Sequence, residues 1–219
     1  MSRITTHRAR PTTTGFLAQR AISRDVRALI LAAAAGRTSG VVLDVGCGNT
    51  PYRDLLPGWK RTGINIAIDD ALPDVVGDGL RLPVKDSVAE LVLCTQVIEH
   101  VQDPFLLVRE LSRTLKPGGV LVLSGPMHWP LHEEPHDYWR FTRHGLSRLV
   151  LLSGLEMVEV RDNGGAIALA AICLNHLVRH RALFPIRLGI NLAGLVLDRL
   201  IPIRHSTPNL TLAARKPLS

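Results

Sequence analysis

The stretch HEEPHDYWRFT at 132–142 contains the H-E-x-x-H pattern of zinc peptidases. That chemistry needs His132 and His136 one turn apart on a helix, with Glu133 beside them as the base. Pro135 stands inside that turn, where it removes a backbone donor and clashes with the carbonyl four residues back. Pro130, and the restriction Pro135 places on Glu134, push the segment toward extended and turn conformations. It reads as a loop, whose histidines, acids and aromatics must serve another purpose. A second stretch, VVLDVGCGNTPYRDLL at 41–56, offers binding. An apolar run ends at Asp44, and Gly46 and Gly48 follow in a turn with no side chains to obstruct a ligand. Glycines there let the backbone approach a bound molecule at the carboxyl end of a strand, where open α/β sheets hold ligands. Asp44 ahead of the turn and the lack of a third glycine argue against a dinucleotide pyrophosphate site.

Such groups need a scaffold to position them. Residues 15–36 read as a helix stopped by Gly36, and VVLDV at 41–45 as a buried parallel strand. Further strands are expected at RTGINI, DVVG, ELVLCT and VLVLSG, with a helix from Pro104 to Lys116 ending at KPGG. A helix capped by Thr142 runs to Ser153, followed by strands at EMVEVRD and NLTLAARK. The alternation predicts an α/β fold, a Rossmann-like, doubly wound, seven-stranded sheet with helices on both faces. The link IAIDDALP is too short for a full crossover helix.

Residues 1–14 read as a flexible basic tail and 15–219 as a single domain, with 163–206 a helical insertion before the last strand. Within it, 164–178 and 183–201 form an apolar helical hairpin. Neither segment is a clean run of the ~18 apolar residues that a bilayer span needs. A lid or dimer surface packed on protein is the plainer reading. The alternative is a pair lying at a membrane interface across 164–201 with its arginines toward headgroups.

Hydrophobic residues make up 46% of the 219 and charged ones 21%, which excludes a disordered chain. The net charge of +7 comes from scattered arginines without a basic block, so weak attraction to anionic partners is expected. No aromatic–basic stripe marks a specific nucleic-acid reader. Three cysteines, Cys47, Cys94 and Cys173, are distant from one another and contain no C-x-x-C, which suits a reducing, cytoplasmic setting.

Residues 41–125 carry, in order, LDVGCG, GDGLRLP, VIEHV and LKPGG. In this the chain resembles the class I S-adenosylmethionine-dependent methyltransferases, in their broad small-molecule branch. The resemblance implies S-adenosylmethionine as cofactor. It implies that Asp44, Gly46, Cys47 and Gly48 line its methionine end. Asp78 would face the adenine amino group, with Gly79 and Leu80 against the ring and Thr95 and Gln96 below the sulfonium. One departure stands out. The family usually ends its second strand with an acid for the ribose hydroxyls, and the matching residue here is Asn65, which lacks charge assistance. Asp69 or Asp70 is available to assist, and Asn65 as a plain turn residue is the alternative.

The resemblance also places the loop after the fifth strand beside the methyl acceptor. The acceptor is expected to be a small molecule, or a lipid-linked one as the apolar hairpin suggests, methylated at a hydroxyl oxygen. N- or C-methyl transfer, and a SAM-binding module without catalysis, are the alternatives. His136 is then the first candidate base, with Asp137 or Glu133 as its orienter and His132 the second. Tyr138, Trp139 and Phe141 would wall the acceptor, and Arg140 would hold an acidic group on it. Trp139 and Phe141 as core aromatics are the alternative. No metal is expected, the competing set being His128, His132, Glu133, His136 and Asp137. Glu99 and His100 read as the structural start of a helix, Asp44 as a helix cap if not a ligand, and Asp86 as a turn residue.

Overall fold

Strand β1 (Val41–Val45) shows why the sheet sits in the centre: Leu43 and Val45 point to one apolar core, Val42 to a second. A strand buried on both faces needs a layer of helices on each side. The computed structural model describes residues 9–68, 73–178 and 180–218, so Asp69, Asp70 and the first eight residues lie outside it. Around β1 lie β2 (Lys60–Asn65), β3 (Val75–Val76), β4 (Ala89–Thr95), β5 (Leu115–Pro126), β6 (Glu156–Asp162) and β7 (Asn209–Arg215). Their order across the sheet is β3-β2-β1-β4-β5-β7-β6. β1 to β5 pair in parallel, and β7 runs antiparallel between β5 and β6. The chain leaves β1 toward one edge and resumes at β4 toward the other. The carboxyl ends of β1 and β4 therefore flank the crevice where doubly wound sheets bind ligands.

Helices α1 (Phe16–Ala34), α4 (Ala166–Leu177) and α5 (Phe184–Leu200) cover one face, and α2 (Pro104–Thr114) and α3 (Arg143–Leu152) the other. The starts of α2 and α3 follow from their sequences. Asp103 accepts the Leu106 N–H at 2.9 Å with Pro104 opening α2, and Thr142 Oγ1 accepts the Gly145 N–H at 3.1 Å to begin α3. At the other end of α2, Lys216 Nζ donates to the carbonyls of Ser112 (3.0 Å) and Leu115 (2.8 Å). The expected elements form, except that α2 ends at Thr114 and not at Lys116. β5 begins five residues before VLVLSG, because the KPGG segment continues the strand once Lys216 holds the end of α2. Between β1 and β2 there is only a short 3-10 turn, Arg53–Leu55.

The hairpin α4–α5 also forms. Ala168, Ala171 and Ile172 of α4 join the core under α1. The helices are pinned by Asn175 Nδ2 donating to Asn191 Oδ1 at 2.8 Å, both side chains fully buried. Asn191 in turn donates to the carbonyls of Pro11 (2.7 Å) and Thr13 (2.9 Å), so this part of the expected flexible tail is tied down. The outer side of the hairpin leaves Leu177, Phe184, Ile186, Val196 and Leu200 exposed. Among the described residues no helix is long and apolar enough to cross a membrane.

One buried polar knot joins the layers. Asn163, fully buried, donates to Asp25 Oδ2 of α1 at 2.8 Å and accepts from Thr211 Oγ1 of β7 at 2.8 Å. Replacing it by leucine leaves the Thr211 hydroxyl without its acceptor in a dry interior and strips Asp25 Oδ2 of its buried donor, leaving only Arg24 Nη2 at 2.9 Å, at about 1–3 kcal/mol for each loss. Asn163→Leu is expected to lose about 3 kcal/mol of stability in urea denaturation, whereas Arg24→Ala, on the exposed side of the same Asp25, is expected to lose less than about 1 kcal/mol.

Candidate active site

The glycine turn is anchored from below and open above. The Gly46 and Cys47 N–H groups donate to Ile64 O of β2 at 2.8 and 3.2 Å. Gly46 (φ +72°) and Gly48 (φ +46°) take left-handed conformations that side chains disfavour. A Cβ on Gly46 would run into Val97, so the turns after β1 and β4 touch only because that atom is missing, while a Cβ on Gly48 would meet open space. The Cys47 thiol is buried against Gly63.

Asp44 does not cap a helix. Its carboxylate is buried and receives Arg61 Nη2 at 2.7 Å, a strut between β1 and β2. Burial pushes the carboxyl upward against the pull of the guanidinium. Asn65, at the end of β2, is almost fully buried and its Nδ2 has no hydrogen-bond acceptor. A donor left over at that depth is a place for an oxygen of a bound molecule. Asp78 is exposed, with one carboxylate oxygen accepting the Leu80 N–H at 2.9 Å.

The segment after Asp78 is held by α2. Glu110 accepts from Leu82 N at 3.0 Å, and Arg113 donates to Glu110, to Asp86 and to the carbonyls of Leu82 and Val84. Asp86 is thus an anchor for Arg113 as well as a turn residue. Gly79 packs close to Leu107. Thr95 ends β4, and Gln96 (φ +56°) turns its amide to Ser124 Oγ at 3.1 Å, joining β4 to β5. All ten expected cofactor residues therefore lie at the carboxyl edge of β1 to β4.

The loop after β5 is free of helix from 127 to 142. Its hub is Asp137 and not His136. Arg140 places Nη1 and Nη2 each 2.7 Å from the two Asp137 oxygens, and its remaining donors reach the carbonyls of Trp129, Pro130 and Trp139. With all five donors engaged, Arg140 is a loop clamp and has none to spare for an acceptor. Burial alone would raise Asp137; hydrogen bonds from Arg140 and the His132 N–H bring it down to about 2. His136 is exposed, and its Nδ1 meets Tyr138 Oη at 3.0 Å, so neither Asp137 nor Glu133 orients it. Phe141 is buried against Gly125 as a core aromatic. Tyr138 and Trp139 stay partly exposed, Trp139 Nε1 donating to Val101 O at 2.9 Å.

Asp137 orients His132 instead. It accepts the His132 N–H at 2.9 Å and lies 3.2 Å from Nδ1, which also lies 3.2 Å from Pro130 O. Two acceptors fix the proton on Nδ1, leaving Nε2 as a lone pair, buried and without a partner. His100 repeats the arrangement, its Nδ1 2.7 Å from the carbonyl of His136. The two rings meet edge-on at 4.8 Å. Beside them sits Glu99, fully buried, both carboxylate oxygens without a hydrogen-bond partner. Burial pushes its carboxyl up to about 8. Of the metal set considered above, only His132 enters this cluster directly, with Glu133 Oε2 3.9 Å from His100 Nε2. Glu99 and His100 form a 3-10 turn, and α2 starts only at Pro104. The available signal was a glutamate in the otherwise apolar run VIEHV, a type rarely buried unless paired.

Known proteins resemble this chain in sequence and fold. The profile of a family described as a methyltransferase domain matches residues 17–160. A Mycolicibacterium smegmatis protein named a probable S-adenosylmethionine-dependent methyltransferase is 34% identical over 96 residues, 39% of this chain and 37% of its own. The ubiquinone biosynthesis O-methyltransferase of Xanthomonas oryzae pv. oryzae is 34% identical over 102 residues, 38% of this chain and 41% of its own. The chain thus spans less than half the length of either relative. Among solved structures, the [4+2]-cyclase SpnF superposes with a TM-score of 0.63 at 20% identity, covering 92% of this chain and 84% of that one, a likeness of fold. An open glycine turn at a switch point and a family match across most of the sheet lead to one conclusion: the chain belongs to the S-adenosylmethionine-dependent methyltransferases.

Proposed function

We propose that the protein methylates a hydroxyl oxygen of a small or lipid-linked acceptor that enters between the turn after β4 and the loop after β5. The observation that carries this reading is the Glu99–His100–His132 cluster, a fully buried carboxyl beside two half-buried imidazoles at the same sheet edge as the glycine turn. S-adenosylmethionine supplies a methyl carbon already activated by a sulfonium charge and leaves as a neutral thioether. The chain has to align the acceptor oxygen, exclude water and help that oxygen lose its proton. The cluster does the last of these, with Asp137 and Arg140 keeping His132 in place, and Tyr138 and Trp139 flank the acceptor.

On the cofactor side, Gly46, Cys47 and Gly48 present backbone to the methionine moiety. Asn65 donates its free amide to a ribose oxygen, and Asp78 accepts from the adenine amine. Asp44 contributes by holding β1 and β2 in register through Arg61. The exposed apolar side of the hairpin, flanked by Arg187 and Arg199 on a chain of net charge +7, supports the lipid-linked version of the acceptor. One relative is named an O-methyltransferase, which supports oxygen as the accepting atom, while another is named an N-methyltransferase.

Three outcomes are expected. In calorimetry with S-adenosylhomocysteine, Gly46→Val binds at least 100-fold more weakly, whereas Asn65→Asp binds several-fold more tightly through charge-assisted ribose contacts; unchanged affinity in both removes the cofactor assignment. In a methylation screen across phenols, sugars and lipid extracts with labelled cofactor, His132→Asn loses at least 100-fold in turnover with cofactor affinity kept, and His136→Ala stays within about threefold; the reverse pattern restores His136 as the base. In vesicle sedimentation the protein pellets with phosphatidylglycerol vesicles, and Ile186→Glu with Leu200→Glu returns it to the supernatant. A wild-type protein that never pellets removes the lipid-linked acceptor.

A further inference from the structure

We infer that Glu99, His100 and His132 form a binding site for one divalent first-row transition-metal ion. Their ligand atoms all lie within 4.8 Å of one another, and Glu133 Oε2, 3.9 Å from His100 Nε2, stands at the more open side as a further oxygen. Two ligands on one zinc ion at ~2.1 Å are about 3.4 Å apart at the tetrahedral angle, so the set closes on an ion by side-chain shifts of about 1 Å.

Three features separate this set from a chance cluster. Both imidazoles have their Nδ1 protons committed elsewhere, His100 to the His136 carbonyl and His132 to Pro130 O and Asp137. Each therefore offers Nε2, the arrangement by which outer carbonyls and carboxylates orient metal-binding histidines. His132 Nε2 is buried without a partner, and so are both oxygens of Glu99. A fully buried carboxylate with no donor is a cost to the fold unless something cationic joins it. Finally, Arg140, the arginine of this loop, is saturated by Asp137 and carbonyls, so it does not supply that cation by hydrogen bonding.

Two nitrogens and one carboxylate select a transition ion over magnesium or calcium, which favour oxygen-only shells. Three protein ligands leave coordination positions open. This role rests on the acceptor reading above: a hydroxyl oxygen bound at an open position becomes more acidic and passes its proton to Glu133 or to water. The oxygen then forms its bond to the methyl carbon as the carbon–sulfur bond breaks, its electron pair remaining on sulfur.

The test uses zinc and cobalt ions alone on the chelator-treated 219-residue chain, so it does not depend on methyl transfer. Calorimetry is expected to give one zinc per chain with micromolar or tighter affinity, and cobalt a visible absorption band of a low-coordinate nitrogen–oxygen site. Glu99→Gln and His132→Gln are each expected to weaken zinc at least tenfold, with His136→Ala unchanged. Thermal melts separate a metal role from a structural one: without metal, Glu99→Gln melts at or above the wild type, and only the wild type gains on adding zinc. No saturable zinc binding, or equal binding by Glu99→Gln and His132→Gln, overturns the site. Tight zinc binding in a protein that methylates no hydroxyl acceptor leaves the site standing and removes the O-methylation reading.

Discussion

The architecture of the site depends on one missing atom. At Gly46 the turn after β1 lies against Val97 of the turn after β4, and any side chain would drive them apart. These two turns border the place where the sheet reverses its direction of growth, so their contact sets the floor of the crevice. What lies on that floor comes from four strand ends. Neighbouring backbone or β5 holds Asn65, Asp78 and Gln96: the Asn65 carbonyl accepts the Gly77 N–H, Asp78 accepts the Leu80 N–H, and Gln96 donates to Ser124 Oγ. Order of this kind lowers the entropic cost of binding.

The wall facing the acceptor is built on a different principle. The segment 127–142 has no regular secondary structure, so its backbone conformation has to be fixed by side chains. The Asp137–Arg140 pair does this, satisfying three loop carbonyls besides the carboxylate itself. A bidentate guanidinium is suited to the task, since its planar fork fixes direction as well as distance. The same carboxylate sets the tautomer of His132, so loop shape and imidazole chemistry are controlled by a single side chain.

Much of this was legible in the sequence, for reasons that can be named. Strands at VVLDV and ELVLCT are short apolar runs with turn residues around them, and α2 and α3 declare their starts through Asp103–Pro104 and Thr142. The glycine turn was readable because left-handed backbone leaves its mark in residue type. The loop after β5 was readable only as a loop. Which of its three histidines met Asp137 depended on backbone geometry that no periodicity encodes, and neighbours in sequence, His136 and Asp137, proved to face different partners. The burial of Glu99 was hidden for a related reason. A glutamate near a helix start usually faces solvent, and its full burial arises from a loop 34 to 40 residues further along the chain folding over it.

The position of β7 has a consequence for how the chain reaches this state. It is the last of the seven strands to be synthesised, yet it fits between β5 and β6 and pairs with both along most of its length. Until residues 209–215 emerge, β5 has an open edge and β6 has no neighbour to join, two unsatisfied rims of the type that invite pairing with foreign chains. The crevice at β1 and β4 lies on the other side of β5 and needs neither. Nucleation of the nucleotide-binding half can thus precede closure of the sheet, leaving the nascent protein most vulnerable to aggregation while the hairpin α4–α5 is being made.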